Sequence, residues 1–130
     1  MADRDRLPAA TVRAVAALVR SLEELDVLVT LVREPRRSWT GAEMADRLRA
    51  SLDEVIPELE RMVELGVAAR DPGEPARFRF GPVDAERAAQ AAELAAAYGA
   101  RRIELVNHVA SHALDRVLRA AGASRARRPS

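Results

Sequence analysis

Residues 39–80 read WTGAEMADRLRASLDEVIPELERMVELGVAARDPGEPARFRF, and this stretch decides the fold. Thr40 is followed three residues later by Glu43, and Ser51 by Glu54. In such capping boxes the hydroxyl takes an orphan backbone N–H and the acid reaches back to the cap's own N–H. The first box predicts a short helix with Met44, Ala45 and Leu48 inward. Ala50 falls in the turn. The second box predicts a helix with Leu52, Val55, Ile56, Leu59, Met62 and Val63 inward. Pro57 lies within it, where the missing N–H and the ring clash cost about 3 kcal/mol in an ordinary interior. A kink or a late helix start is therefore expected. Leu65-Gly66-Val67 ends the helix, because glycine suits the left-handed position past a helix end. Val67 to Arg70, the turn Asp71-Pro72-Gly73-Glu74-Pro75 and Ala76 to Phe80 then read as a hairpin. Alternation in Arg77-Phe78-Arg79-Phe80 puts both Phe on one face and both Arg on the other.

Outward from this stretch, the flanks read as helices. Residues 8–20 open with Pro8, suited to a first turn, and carry Val12, Val15, Ala16 and Val19 at helical spacing. Ser21 and Glu24 form another capping box, followed by an apolar stripe of Leu22, Leu25, Leu28, Val29 and Val32. Pro35 stops that helix, and Arg36 to Trp39 is a short extended piece. From Asp84 to about Ala121 the pattern is helical almost throughout, roughly 55 Å if unbroken. Gly99 is the point at which it would divide. Residues 1–7 and the Arg-rich tail 122–130 are expected to be disordered. The expected organisation is a domain over 8–82 and a dimerisation helix over 83–121.

Composition narrows the function. The chain of 130 residues is one domain's worth, 48% hydrophobic, 32% charged and 3% aromatic, with formal net charge +1. Such a balance supplies no global field towards nucleic acid or membrane. All 21 basic residues are Arg, which reads as a coding bias. No Cys is present, which excludes disulfides, thiolate metal sites and a Cys nucleophile. Residues 1–6 lack the apolar core of a signal peptide. No apolar run approaches the ~18 residues of a membrane span, so a soluble cytoplasmic protein is expected.

The rhythm of strand, helix, turn, helix, glycine and hairpin, carried by Trp39-Thr40-Gly41-Ala42-Glu43-Met44-Ala45, Leu48, Ser51, Val55, Leu59, Met62 and Leu65-Gly66-Val67, resembles the winged helix-turn-helix of bacterial transcription regulators, in the broad sense that includes MarR, ArsR and PadR types. The resemblance covers about half the chain, residues 22–80. It implies a mostly α fold with a small β-hairpin wing, flanked by an N-terminal helix and a long C-terminal helix of the kind that pairs two chains. It also implies that the second helix enters the DNA major groove.

The charges complicate that implication. The outward residues of the second helix are Asp53, Glu54, Glu58, Glu60, Arg61 and Glu64, five acids against one base. Beside phosphates they would repel. Asp53, Glu54, Glu58 and Glu64 are instead candidates for a protein-binding acidic face. Arg47, Arg49, Arg70, Arg77 and Arg79 are the candidate phosphate contacts, led by the wing. Two readings follow: a dimeric protein-interaction module, or a DNA-binding regulator working through its basic wing.

The last helix offers two more features. Glu104, His108, His112 and Asp115 share one stripe at i, i+4 spacing, a weak metal candidate also explained by solvated histidines. Its apolar face, including Ile103, Leu105, Val106, Val109, Ala110, Ala113, Leu114, Val117 and Leu118, covers more than half the wheel; one small domain could cover part of it and a partner chain the rest, the alternative being intramolecular packing against residues 8–33. Ile103, Val106, Val109, Ala113 and Val117 are the expected homodimer interface. Tyr98 and Trp39 read as core or interface aromatics. No phosphate loop, nucleophile elbow or HExxH motif is present, so no enzymatic activity and no cofactor are expected.

Overall fold

The computed structural model describes residues 6–126. The described residues are mostly helical, with six helices and a small antiparallel sheet of three strands. In order these are α1 (Ala9–Leu18), α2 (Leu22–Arg33), β1 (Ser38–Thr40), α3 (Gly41–Leu48), α4 (Leu52–Glu64), β2 (Ala68–Asp71), β3 (Arg77–Phe80), α5 (Ala85–Ala100) and α6 (Arg102–Ala126).

Helix α2 is the centre of the molecule. Its residues Leu25, Val27, Leu28 and Leu31 are wholly buried, because α4, α5 and the sheet pack around it. The expected stripe accounts for Leu25, Leu28 and Val29 but omits Val27 and Leu31, since a helix covered on several sides buries more than one stripe. Burying a side chain of this size contributes about 1.5–3 kcal/mol. Helix α1 lies on α5 with its inward face rotated from the expected one, keeping Val15 and Val19 inside and losing Val12 and Ala16. Thr11, Ala14, Val15, Leu18 and Val19 are buried, while Val12 and Ala16 are exposed. The Thr11 hydroxyl donates to Glu93 Oε2 of α5 at 2.7 Å, which fixes that rotation.

The caps form where expected. Thr40 Oγ1 accepts from Glu43 N at 3.1 Å, and Glu43 Oε1 accepts from Thr40 N at 2.9 Å, a complete box. Ser51 Oγ accepts from Glu54 N at 3.3 Å and Ser21 Oγ from Glu24 N at 3.1 Å. At Ser21 the acid is displaced by one residue and accepts from Arg20 N at 2.7 Å. The Ser51 cap also answers the proline. Helix α4 starts at Leu52 and passes through Pro57, so no late start occurs. Both Pro57 and Asp53, whose carbonyl loses its i+4 donor, are exposed, so water can satisfy the carbonyl.

Strand β3 is central in the sheet, with β1 and β2 on its two sides. Trp39 pairs with Phe78, and both rings enter the core beside Met44, Leu59 and Met62. The extended piece expected over 36–39 is thus a third strand, over Ser38–Thr40. Asp71, expected in the turn, ends β2 opposite Arg77. Gly66 has φ +80, and a Cβ there would come within 2.6 Å of Val83 Cγ2, so both backbone and packing require glycine.

The C-terminal helical region is two helices. The chain breaks at Arg101 (φ −138, ψ 50), two residues past Gly99. Ala91, Leu94 and Ala97 of α5 and Leu105 and Val109 of α6 join the same core as α1 and α2. The disordered tail expected from residue 122 is corrected in part, because α6 continues to Ala126 through an Ala-rich segment of high helix propensity. Leu7, expected within a disordered terminus, packs against the core. Residues 1–5 and 127–130 of those expected termini lie outside the described residues. Among the described residues no helix is long and apolar enough to cross a membrane.

Candidate interaction surface

The N-terminal ends of α3 and α4 meet the hairpin around an apolar groove of about 230 Å³. Gly41 makes the approach possible: a Cβ there would meet Ile56 Cδ1 and approach Leu52 Cδ1 to 3.1 Å. Leu52, expected inward, is 48% exposed and lies at this groove with Ile56, Ala42, Pro75, Ala76 and Phe78. It sits in the first turn of α4, beyond the reach of the core. Glu60 and Arg70 border the groove as an ion pair at 3.3 Å.

The acidic residues of α4 do not form one outward face. Asp53, Glu54 and Glu64 are exposed. Glu60 is half-buried against Arg70. Glu58 is half-buried towards α2, because positions 54, 58 and 61 form one stripe and 53, 57, 60 and 64 another. The Glu58 Oε2 atom is buried with no hydrogen-bond partner. Burial, reinforced by Glu23, Glu24, Glu54 and Asp26, pushes its pKa up to about 7. Arg61, expected outward, is an inner residue of the same seam, ion-paired with Glu24 at 3.2 Å. Glu24 is 4% exposed and also holds Arg20 at 2.9 Å.

Of the five arginines expected to contact phosphate, four are already engaged by carboxylates. Arg47 pairs with Glu34 at 2.5 Å, Arg70 with Glu60, Arg77 with Glu43 at 3.5 Å and Arg79 with Asp71 at 3.1 Å. Hydrogen bonding from Arg47 holds the Glu34 carboxyl below its ordinary value. The bond from Thr40 N does the same for Glu43, helped by Arg77 and Arg37. Arg49, the left-handed residue ending α3 (φ 55), has no carboxylate partner among the described residues.

No protein-family model matches the chain, and no curated protein or solved structure matches it.

Helix α6 divides the expected dimer residues. Val109 is buried within its own protomer, as is Leu105, so Val109 is not available to a partner. Helix α6 packs on α5 and α2 within the same chain. Val106 and Ala113 are half-buried, whereas Ile103 and Val117 are 74% and 65% exposed, and Leu114 and Leu118 are exposed beside them. Ile103, Asn107, Ala110, Leu114, Val117 and Ala121 are all exposed and recur at alternating four- and three-residue spacing, the seam of a coiled coil.

The His108 and His112 rings stack with centroids 6.4 Å apart and planes 13° apart. Asp115 is exposed, and Glu104 and His108 border a shallow depression with Arg6, Leu7 and Val12. Among the described residues no group of three or more His, Cys, Asp or Glu is placed to hold a metal.

Two features lie outside the sequence reading: the arginines over Trp39, whose place in the core or an interface was expected, and an acidic seam. Trp39 is wholly buried, with the Arg37 and Arg47 guanidiniums 3.6 Å and 4.8 Å from its ring centroid. Its Nε1 has no acceptor among the described residues. The acidic seam between α2 and α4 was hidden because Glu23, Glu24 and Asp26 lie about 30 residues from Glu58 in sequence. An amphipathic helix carrying acids on a half-apolar stripe was the available signal.

Proposed function

We propose that this chain is a non-enzymatic winged-helix protein of the transcription-regulator type that acts as a homodimeric protein-interaction module. The element order and the β1-β3-β2 sheet support the winged-helix reading. The observation that carries the interaction reading is the apolar groove between α3, α4 and the hairpin, with arginines around it already held by carboxylates. A groove of that kind receives an apolar side chain. The exposed Asp53 and Glu64 favour a partner segment that also carries basic residues. The exposed coiled-coil seam of α6 supports self-association, since a helix with few buried residues beyond Val109 gains stability from a second copy.

The DNA-binding alternative is favoured by one observation. Arg49, at the α3–α4 turn, has no carboxylate partner among the described residues, and surface ion pairs are worth only about 0–1 kcal/mol, so phosphates compete readily for the others. One pair of experiments decides. Selection from a random peptide library is expected to enrich segments with an apolar anchor beside Arg or Lys, with binding lost in Ile56→Glu. Anisotropy with random duplex DNA at low salt is expected to stay flat. A salt-sensitive rise abolished in Arg77→Ala/Arg79→Ala, with no peptide enriched, reverses the assignment.

A further inference from the structure

The break at Arg101 places two side chains over α2. Tyr98, in the last turn of α5, donates its hydroxyl to Asp26 Oδ1 at 3.3 Å. Arg102, the first residue of α6, holds its guanidinium 4.4 Å from the Tyr98 ring centroid, and Arg33 of α2 holds its own at 5.2 Å. With Val29, Glu34, Arg47 and Leu48 these residues enclose an open cavity of about 250 Å³.

Its charges do not cancel. Three guanidiniums and two carboxylates line it, leaving one positive charge in excess. Arg47 is taken by Glu34. Arg33 and Arg102 have no carboxylate at ion-pairing distance among the described residues, although Asp26 is close enough to feel the charge of Arg102. Two cations share one aromatic ring, and an anion between them would relieve their repulsion. Val29 and Leu48 add apolar surface beside this charged end.

We propose that this cavity binds a small organic monocarboxylate, with its carboxylate on Arg33 and Arg102 and its apolar body on Val29 and Leu48. Guanidinium forks match carboxylate geometry. The volume lies just below the ~300 Å³ where ligand pockets usually begin, which suits a ligand of about one aromatic ring beside its carboxylate. A phosphate dianion fits less well, because it offers nothing to Val29 and Leu48 and its two charges exceed the single positive charge the cavity holds in excess.

The chain has one tyrosine, so ring-labelled tyrosine gives a single reporter inside the site. Titration of the full chain with benzoate is expected to shift that signal saturably. Binding should weaken about tenfold or more in Arg33→Gln and in Arg102→Gln, both exposed positions, since each removes charge-assisted hydrogen bonds to the carboxylate. Arg13→Gln, on the exposed side of α1, should bind as the parent does. Propionate and inorganic phosphate form two further arms. Weaker saturation with propionate than with benzoate supports the apolar body. An unsaturable response to benzoate, equal affinity in Arg102→Gln, or tighter binding of phosphate overturns the proposal.

Discussion

Replacing Glu58 with Gln should stabilise this protein at alkaline pH and leave it nearly unchanged at acidic pH. The carboxyl sits on α4 with Oε2 buried and unpartnered, facing Glu23, Glu24 and Asp26 of α2 and Glu54 of its own helix. Its pKa is raised from 4.5 to about 7. The folded state therefore binds the proton more tightly than the unfolded chain, and ionisation works against folding. That cost is absent below the unfolded value of 4.5, grows as pH rises towards the folded value of about 7, and is constant above it. At about 1.4 kcal/mol per pH unit the full span corresponds to about 3 kcal/mol. Solvent screening of a half-buried group reduces this to about 1–2 kcal/mol. Gln keeps the shape and removes the charge. Urea unfolding followed by the fluorescence of Trp39, the one tryptophan, should show Glu58→Gln more stable by about 1–2 kcal/mol at pH 8 and by less than about 0.5 kcal/mol at pH 4. An equal gain at both pH values would refute the reasoning, because it would place the effect in packing. A loss at pH 8 would refute it more directly.

Three other outcomes follow from the packing. Gly66→Ala should cost about 1–2 kcal/mol and lower the Tm by several degrees, because φ +80 and Val83 both oppose a side chain, whereas Gly99→Ala, helical and with its nearest neighbour 3.9 Å away, should be neutral or slightly stabilising by calorimetry. Thr40→Ala should cost about 1 kcal/mol by denaturant titration, since it removes one half of the complete capping box. Leu114→Glu/Val117→Glu should convert a dimer to a monomer in sedimentation equilibrium with helicity of residues 9–109 intact; a monomeric parent would sink the α6 seam as the self-association surface.

Much of the fold was legible because its signals are local. Hydroxyl and acid three residues apart cap a helix whatever packs on it, and Thr40, Ser21 and Ser51 each do so. Alternation in Arg77-Phe78-Arg79-Phe80 set the two faces of β3, with Phe78 buried and both Arg exposed. Less legible was how much of each helix would be covered. Val27, Leu31 and Val109 are buried because elements distant in sequence close over them. Leu52, apolar and in register, stays exposed because the core ends one turn further along α4.

By itself the sequence determined the helix starts, the glycine stop, the hairpin alternation and the charge inventory, since each depends on neighbours a few residues away. Only the tertiary structure decided which charges remain free. Arg77 meets Glu43 across 34 residues, Arg61 meets Glu24, and Tyr98 meets Asp26 across 72. A charge acts over a few ångströms of space, and sequence distance does not measure that. A helix that counts as five acids and one base therefore folds with Asp53, Glu54 and Glu64 exposed, Glu60 held by Arg70 beside an apolar groove, and Glu58 and Arg61 in a half-buried seam.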